Sequence, residues 1–213
     1  VTLLAGQESI ITKNESFGVS VDGLTDTRLM LMSSASIPTL PTHSKYDKVF
    51  NSFFGTLSYN YDEKYFADFT FRRDGSSLFA KNKQWGNFWS AGAMWDIKKE
   101  EFMKDLTWLN ALQFKASYGL IGNSSGLDPY MSLGLIGDGP LYNGVGGTAI
   151  ANSANPDLTW EKTYTTGIGV DASFFNNRLN VVFDYYIKNT DNIIYNVPIS
   201  GLTGVTSIYK NIG

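Results

Sequence analysis

A glycine- and serine-rich run holds the strongest catalytic motif in the chain. Gly122-Asn123-Ser124-Ser125-Gly126 matches G-x-S-x-G, in which a serine on a tight strand-to-helix turn becomes a nucleophile. That chemistry also needs a histidine and a carboxylate beside the serine, and the only histidine, His43, lies far upstream. Leu127-Asp128-Pro129 follows without helical periodicity. The motif therefore favours a loop, and a serine hydrolase stays open as a hypothesis that requires labelling of Ser124 by a fluorophosphonate.

Metal, thiol and phosphate sites lack their usual residues. The chain has no cysteine and one histidine, which excludes disulfides, cysteine-ligated zinc, iron–sulfur clusters and multi-histidine metal sites. The glycine runs Gly137-Asp138-Gly139 and Gly144-Val145-Gly146-Gly147 lack the lysine and the following helix of a phosphate-binding loop. The net charge of −3 gives no basic footprint for nucleic acid. We therefore expect no enzyme, no metal or cofactor and no nucleic-acid partner.

Carboxylates occur singly, on the polar sides of different segments. A catalytic pair would need two of them facing each other, whereas Arg72, Lys115 and Lys188 are interspersed among them. We expect hydrated charges rather than an acid–base pair at these positions, which are Asp68, Asp96, Glu161, Asp171 and Asp184.

The longest segment without strand periodicity, Ile121–Asp157, carries the candidate binding residues. Aromatic platforms combined with amide and carboxylate hydrogen bonds are suited to sugars. The candidate substrate-binding residues are Asp128, Tyr130, Tyr142 and Asn143. The alternative is that these side chains only pack the loop.

Alternation of apolar and polar residues predicts the elements that must position these loops. From Ser52 to Tyr61, for example, Phe53, Leu57 and Tyr59 alternate with serine, threonine and asparagine, as expected for a strand with one apolar face. The six predicted strands are Ser52–Tyr61, Tyr65–Asp74, Trp85–Ile97, Ala111–Leu120, Leu158–Phe174 and Leu179–Thr190.

Short and long connections alternate between these strands. Asp62-Glu63-Lys64 and Asn176-Asn177-Arg178 predict tight turns, whereas Gly75–Gln84 and Ile121–Asp157 are long. Outer-membrane barrels have this asymmetry, with short periplasmic turns and long outer loops. The segment Lys98–Asn110 is intermediate and shows weak helical spacing.

Strand length and composition favour a membrane. At roughly 3.3 Å per residue and a tilt of about 40°, Trp85–Ile97 rises about 30 Å along the membrane normal, enough for an apolar band of about 25 Å. Charged residues make up only 17% of the chain and aromatics 15%. Aromatics near the predicted strand ends would form interfacial girdles; they are Tyr65, Phe71, Trp89, Trp95, Trp160 and Phe174. A soluble β-rich binding or adhesion module remains the alternative, because β-sandwich strands also alternate.

Four segments in order resemble one protein family. They are Phe71-Arg72-Arg73-Asp74-Gly75-Ser76-Ser77 with Trp85-Gly86-Asn87-Phe88; Ala116-Ser117-Tyr118-Gly119 with Gly122-Asn123; Asn155-Pro156-Asp157-Leu158-Thr159-Trp160-Glu161; and Phe174-Phe175-Asn176-Asn177-Arg178-Leu179 followed by Asp184-Tyr185-Tyr186. Together they resemble the SusC/RagA family of TonB-dependent outer-membrane transporters, most strongly over 46–120 and 155–213. Leu78 and Trp89 depart from the residues common in the family at those positions, which bears on loop packing.

The resemblance implies an all-β fold and a transport function. It implies that residues 1–213 form about seven or eight antiparallel strands of a larger transmembrane barrel, with the plug, the TonB box and the C-terminal strand outside this sequence. It further implies active import of glycans, peptides or other oligomeric nutrients, energised through the TonB complex. A SusD-like surface lipoprotein would be the partner, and the outer membrane of a Bacteroidota-like Gram-negative bacterium the location.

Overall fold

The computed structural model describes residues 1–24, 26, 28, 31–39 and 41–213; the side chains of Pro38, Leu141 and Tyr142 lie outside the description. Thirteen strands are formed by these residues: β1 (Thr2–Gly18), β2 (Val21–Leu24), β3 (Ala35–Pro38), β4 (Thr42–Tyr61), β5 (Tyr65–Ser76), β6 (Trp85–Asp96), β7 (Leu109–Asn123), β8 (Leu135–Tyr142), β9 (Val145–Asn152), β10 (Glu161–Phe174), β11 (Leu179–Asp191), β12 (Ile193–Pro198) and β13 (Ser207–Ile212).

Seven long strands form one antiparallel sheet in the order β1-β4-β5-β6-β7-β10-β11. The remaining strands form three two-stranded hairpins, β2–β3, β8–β9 and β12–β13. The predicted fold class, an all-β antiparallel barrel wall of about seven to eight strands, is confirmed, with seven strands in the sheet. All six predicted strands lie in the sheet, whereas β1 and the three hairpins were not predicted.

Among the residues that the structure describes, helical structure is limited to four short 3-10 turns at Met32–Ser34, Ile97–Lys99, Glu101–Met103 and Gly201–Thr203. Two of them occupy the connection between β6 and β7, where the sequence showed weak helical spacing. Within the described residues, no helix has the length and apolar character needed to cross a membrane.

The sheet has two chemically distinct faces. Residues paired across neighbouring strands project to the same side, so the register Phe53↔Arg73 and Phe71↔Trp89 defines an aromatic face, here called the outward face. The register Ser52↔Asp74 and Thr56↔Thr70 defines the opposite, polar face, here called the inward face.

No second layer of protein covers the outward face within the described residues. Trp89, Phe114 and Ile168 are 37, 39 and 46% exposed, although a sandwich would bury them against a second sheet. The aromatic rings instead contact each other along the face, as in the stacked pairs Phe53–Trp85 and Tyr65–Trp95. This arrangement is incompatible with the soluble sandwich alternative.

Short and long connections lie at opposite ends of the sheet, as predicted. The short-turn end holds the turns after Tyr61 and Phe174 and the connection 97–108. The long-loop end holds the described segments 19–24, 31–39, 77–84, 124–160 and 192–213, and these include all three hairpins.

Two predictions at the start of β10 were wrong. The strand begins at Glu161 rather than Leu158, and Trp160 is only 3% exposed, so it is not a girdle residue. Its indole is 5.0 Å from the ring centroid of Phe79 and 5.3 Å from that of Phe88. Trp160 also donates a hydrogen bond to the Gln84 carbonyl (3.0 Å), which draws it into the loop layer.

Candidate functional site

An open groove lies on the inward face near the long-loop end. Its volume is about 450 Å³, and strands β5, β6, β7 and β10 contribute its walls. Small residues form much of its lining, which leaves room between the strands: Thr70, Ser90, Ser117, Gly119 and Thr165. Arg72 and Asp74 supply the charged wall, and Phe88 supplies an apolar one.

Arg72 organises the charged wall of this groove. Its Nε lies 3.1 Å from Asp74 Oδ1, and its Nη2 lies 2.7 Å from Ser52 Oγ and 3.5 Å from Glu8 Oε2. Ser52 and Asp74 are 0 and 8% exposed, and the Ser52 hydroxyl donates to the Asp74 carboxylate. The guanidinium also lies 5.6 Å above the ring of Phe54. These contacts hold one positive and two negative charges in fixed positions on the inward face.

A second charged pair lies closer to the short-turn end. Lys115 on β7 donates to Asp171 Oδ2 on the neighbouring strand β10. The other carboxylate oxygen, Asp171 Oδ1, is buried and has no hydrogen-bond partner among the described residues. Two residues before Lys115 on β7, Gln113 Nε2 donates a hydrogen bond to Asp96 Oδ2 at 3.4 Å. The inward face therefore offers alternating positive and negative groups along a polar surface.

The buried core of the molecule lies at the long-loop end. It joins two loops to the start of β6, with Leu158 at 0% and Phe79 at 2% exposure. Phe50, Leu120, Met131, Ile194 and Tyr209 pack around it. The buried cluster comprises Leu78, Phe79, Phe88, Leu127, Leu158 and Trp160.

Hydrogen bonds connect the same core to the β12–β13 hairpin. Asn211 Nδ2 donates to the carbonyls of Thr159 (2.8 Å) and Asn192 (2.9 Å), and its Oδ1 accepts from the Thr159 amide at 2.8 Å. Asn155 Nδ2 donates to the Tyr209 carbonyl at 2.7 Å. The amide of Ile194 donates to Glu161 Oε2 over 3.3 Å. The long loops are thus fastened to one another and to the wall.

At the short-turn end, Glu100 gathers three donors. Its Oε1 accepts hydrogen bonds from the Tyr65 hydroxyl (2.5 Å) and from Trp95 Nε1 (3.1 Å), and its Oε2 lies 3.6 Å from Lys64 Nζ. The Tyr65 hydrogen bond above all, followed by that of Trp95, lowers the pKa of the Glu100 carboxyl. The pKa of the Lys64 ammonium is raised, chiefly by its contact with Asp62 at 3.2 Å.

The predicted substrate-binding residues lie in the β7–β10 loop, at both ends of one hairpin. Asp128 and Tyr130 precede β8 near its base, where Asn152 donates to the carbonyls of Met131 and Leu133. Asn143 forms the tip with Gly144, and both have positive φ (51° and 78°), as the two-residue turn of a hairpin requires. Eight residues of β8 separate base from tip, on the order of 25 Å for an extended strand.

The exposure of these residues fits a solvent-facing role. Tyr130 is 43% exposed, and Asp128 and Asn143 are also exposed. The fourth residue, Tyr142, ends strand β8, and its side chain lies outside the description. Sequence analysis missed the Arg72 network as a unit, because its partners Glu8 and Ser52 come from strands that are distant in sequence. The alternation of apolar and polar residues places Ser52, Arg72 and Asp74 on the same polar face of the predicted strands, and this pattern could have indicated the network.

Three comparisons with known proteins agree. The family model described as TonB dependent receptor-like, beta-barrel, matches residues 9–213. The chain is 42% identical over 163 residues to TonB-dependent receptor P39 of Formosa agariphila, covering 76% of this chain and 16% of that protein. It is 34% identical over 169 residues to TonB-dependent receptor SusC of Bacteroides thetaiotaomicron, covering 76% of this chain and 17% of that protein.

Solved structures give the same result. A structure of the RagAB peptide transporter superposes with a TM-score of 0.87 at 33% identity, over 99% of this chain and 24% of that chain. The open-open state of the RagAB peptide importer superposes with a TM-score of 0.83 at 34% identity.

The chain belongs to the TonB-dependent receptor β-barrel family. It is related to SusC and RagA within that family, which places it in the outer membrane of a Bacteroidota-like bacterium. It spans about a sixth of the length of the curated relatives named above and about a quarter of the superposed chains.

The segments that resemble this family in sequence have structural explanations in the barrel wall. In Asn155–Glu161, Leu158 and Trp160 are buried, while Asn155 and Glu161 hold the β12–β13 hairpin. In Phe71–Ser77, Arg72 and Asp74 form the inward network. Leu78, which departs from the family pattern, is 8% exposed within the loop core, so an apolar residue is suited to that position.

Proposed function

We propose that this chain forms part of the barrel wall of an active outer-membrane importer that takes up glycans, peptides or similar oligomeric nutrients with energy relayed by the TonB complex. The observation that carries the proposal is the seven-stranded sheet itself, aromatic and uncovered outside, polar and charged inside. Family membership supports the transport reaction, and the relation to RagA and SusC supports the oligomeric substrate class.

The sheet edges support placing this chain in a larger closed barrel. β1 and β11 each pair with one neighbour in the sheet, and no other described strand pairs with their second edge. Unpaired backbone groups are not tolerated in lipid, so further strands would have to continue the sheet on both sides. We therefore propose that residues 1–213 are one part of the barrel domain, and that the plug and the C-terminal strand are encoded outside this sequence.

The loop hairpin supports a role in substrate capture beneath a SusD-like lipoprotein. Asp128 and Tyr130 at the hairpin base and Tyr142 and Asn143 at its tip would contact an extended substrate at two separated points. A chain of several sugar rings or amino acids has the required length, whereas a single monosaccharide does not. The polar groove near Arg72 would then be the surface over which the substrate passes.

Uptake in whole cells tests the proposed function. Cells expressing the full-length protein and its lipoprotein partner would be given fluorescent oligosaccharides and, in parallel, fluorescent peptides. We expect accumulation of one class, and its loss when TonB is deleted. Uptake that is independent of TonB, or full-length protein recovered only in the soluble fraction, would refute the proposal.

A matched pair of variants tests the loop residues. Tyr130→Ala removes an exposed aromatic ring at the hairpin base, and Leu133→Ala shortens an exposed side chain (50% exposed) next to it. Under the proposal, uptake falls in the first variant and stays near wild type in the second. Equal uptake in both would show that Tyr130 does not bind substrate.

A further inference from the structure

Arg73 projects from the outward face of the sheet. It pairs with Phe53 on β4 and with Asn87 on β6, whereas its neighbour Arg72 projects inward to Asp74. Charged side chains on the lipid-facing side of a transmembrane strand are costly at the bilayer centre and tolerated near its boundaries. The depth of Arg73 in the membrane therefore decides what surrounds it.

The position of Arg73 along β5 puts it near the outer boundary of the bilayer. It lies eight positions after Tyr65, which starts β5 at the short-turn end. At roughly 3.3 Å per residue and a tilt of about 40°, it lies about 20 Å above Tyr65 along the membrane normal. With Tyr65 at the inner boundary of an apolar band about 25 Å tall, the Arg73 backbone lies about 5 Å below the outer boundary. The long arginine side chain can extend its guanidinium from there to the outer-leaflet headgroups.

Aromatic rings hold the guanidinium in place. Its Cζ lies 5.4 Å from the ring centroid of Trp85, and that indole stacks on Phe53 at 6.1 Å with an interplanar angle of 26°. The indole of Trp85 can lie flat over Gly75 because glycine has no Cβ. A Cβ at that position would be only 3.0 Å from the indole atoms. An open groove of about 590 Å³ is bordered by Phe53, Phe71, Arg73 and Trp85.

The positive charge at this site has no protein counter-ion within the described ranges. No carboxylate there lies within 4 Å of Arg73, nor of Lys81 or Lys83 in the adjoining loop 77–84. The site thus combines a guanidinium held over an indole ring, two further basic residues in the loop that follows β5, and an exposed groove bordered by aromatic rings. A molecule that carries both a phosphate and an acyl chain matches all three features.

We propose that Arg73 and the surrounding aromatic residues bind the phosphorylated headgroup of an outer-leaflet lipid. The guanidinium donates hydrogen bonds to the phosphate oxygens, while an acyl chain lies along Phe53, Phe71 and Trp85. The lipid anchors the wall in the membrane on the side opposite the substrate path, so this site is independent of the import reaction.

Native mass spectrometry of the full-length protein in detergent tests the proposal, with phosphatidic acid and phosphatidylcholine as probes. We expect phosphatidic acid to bind more tightly than phosphatidylcholine. Arg73→Gln should weaken phosphatidic acid binding about tenfold, the effect expected for losing a charged hydrogen bond. Arg73→Lys should bind phosphatidic acid with an affinity between those of the wild type and Arg73→Gln, because lysine keeps the charge but lacks the planar guanidinium.

Lys188→Gln is the matched control, because it removes the same charge from the inward face of β11. It should leave lipid binding unchanged, and heat-modifiable migration on gels verifies that each variant folds. If Arg73→Gln fails to fold, Trp85→Leu serves as the second variant and should also weaken binding. Undiminished phosphatidic acid binding in the folded variant, equal binding of phosphatidylcholine, or complete displacement of the lipid by inorganic phosphate would overturn the proposal.

Discussion

Phe88 has room for its ring only because two glycines face it. A Cβ at Gly122 would lie 2.0 Å from the Phe88 Cζ, and one at Gly86 would lie 2.4 Å from the same atom. The ring cannot move away easily, because it is 5% exposed and packs edge-on against Trp160. Glycine at position 122 therefore has a packing role, which explains the first glycine of the G-x-S-x-G match.

Gly122→Ala should destabilise the long-loop end. Overpacking of this kind costs about 1–3 kcal/mol, so the temperature at which the full-length barrel loses heat-modifiable migration should fall. Gly92→Ala on β6 is the control, since its Cβ would meet only ordinary contacts at 3.9 Å or more. An unchanged transition in Gly122→Ala would show that Phe88 relaxes freely.

Glu100 makes the short-turn end sensitive to acid. Its folded-state pKa is lowered, chiefly by the Tyr65 hydrogen bond, so the stabilisation is fully present above the ordinary carboxyl pKa of about 4.5 and is lost as the pH falls through the lower, folded-state value. Hydrogen exchange of residues 97–108 in the full-length protein, corrected for intrinsic rates, should show strong protection at neutral pH and loss of protection in acid.

Glu100→Gln should lower that protection at neutral pH and flatten its pH dependence. Glu101→Gln provides the comparison, because the Glu101–Lys104 pair is exposed (78 and 62% for the two side chains) and such pairs contribute little. Identical exchange profiles for the two variants would contradict a special role for Glu100.

At the scale of elements, alternation predicted strands well wherever one face is aromatic. In β1 the pattern fails, because Gln7 and Ser9 fall on the outward face while Leu4 and Ile10 fall on the inward face. The β8–β9 hairpin escaped prediction for a different reason, since its many glycines favour loops over strands. Both elements are fixed by pairing with partners that are not visible in the local sequence.

The loop core is formed by contacts between residues that are distant in sequence, which local patterns do not predict. The aromatic character of Trp160 and its position near a predicted strand end predict a place in a membrane girdle. Only the fold shows that Phe79 and Phe88, distant in sequence, surround it. The residues of Asn155–Glu161 suffice to indicate a family. That this segment holds the β12–β13 hairpin depends on long-range hydrogen bonds to Tyr209 and Asn211, which the local sequence does not reveal.

Asn211→Ala should release the β12–β13 hairpin. It removes three hydrogen bonds to Thr159 and Asn192, worth about 1 kcal/mol each. Limited proteolysis of the full-length protein should then cut residues 192–213 faster than in wild type. Asn196→Ala, on the same hairpin but exposed and without a side-chain hydrogen bond in the described residues, should be cut at the wild-type rate. Equal cleavage of both variants would show that Asn211 is not the anchor.

At the scale of the whole molecule, the two faces of the sheet should respond differently to charge. Ile168 lies mid-strand on the outward face, paired with Ala116 and Tyr185. Val182 lies on the inward face opposite Asp171. The same substitution therefore places one arginine in lipid and the other in water beside a carboxylate.

Ile168→Arg should reduce barrel stability by about 2–4 kcal/mol, the cost of an arginine near the bilayer midplane. Val182→Arg should be close to neutral. Folding into lipid vesicles, followed by urea titration of the full-length protein, measures both. A larger loss for Val182→Arg than for Ile168→Arg would reverse the assignment of the two faces.

The Asn143-Gly144 turn has a practical consequence for work with living bacteria. Its backbone is exposed, its base is held by Asn152 rather than by the tip itself, and exposed loop tips tolerate insertions best. A short epitope tag inserted between these two residues would be displayed to antibodies on intact cells that lack the lipoprotein partner, so that copy number and diffusion at the cell surface could be followed there by microscopy.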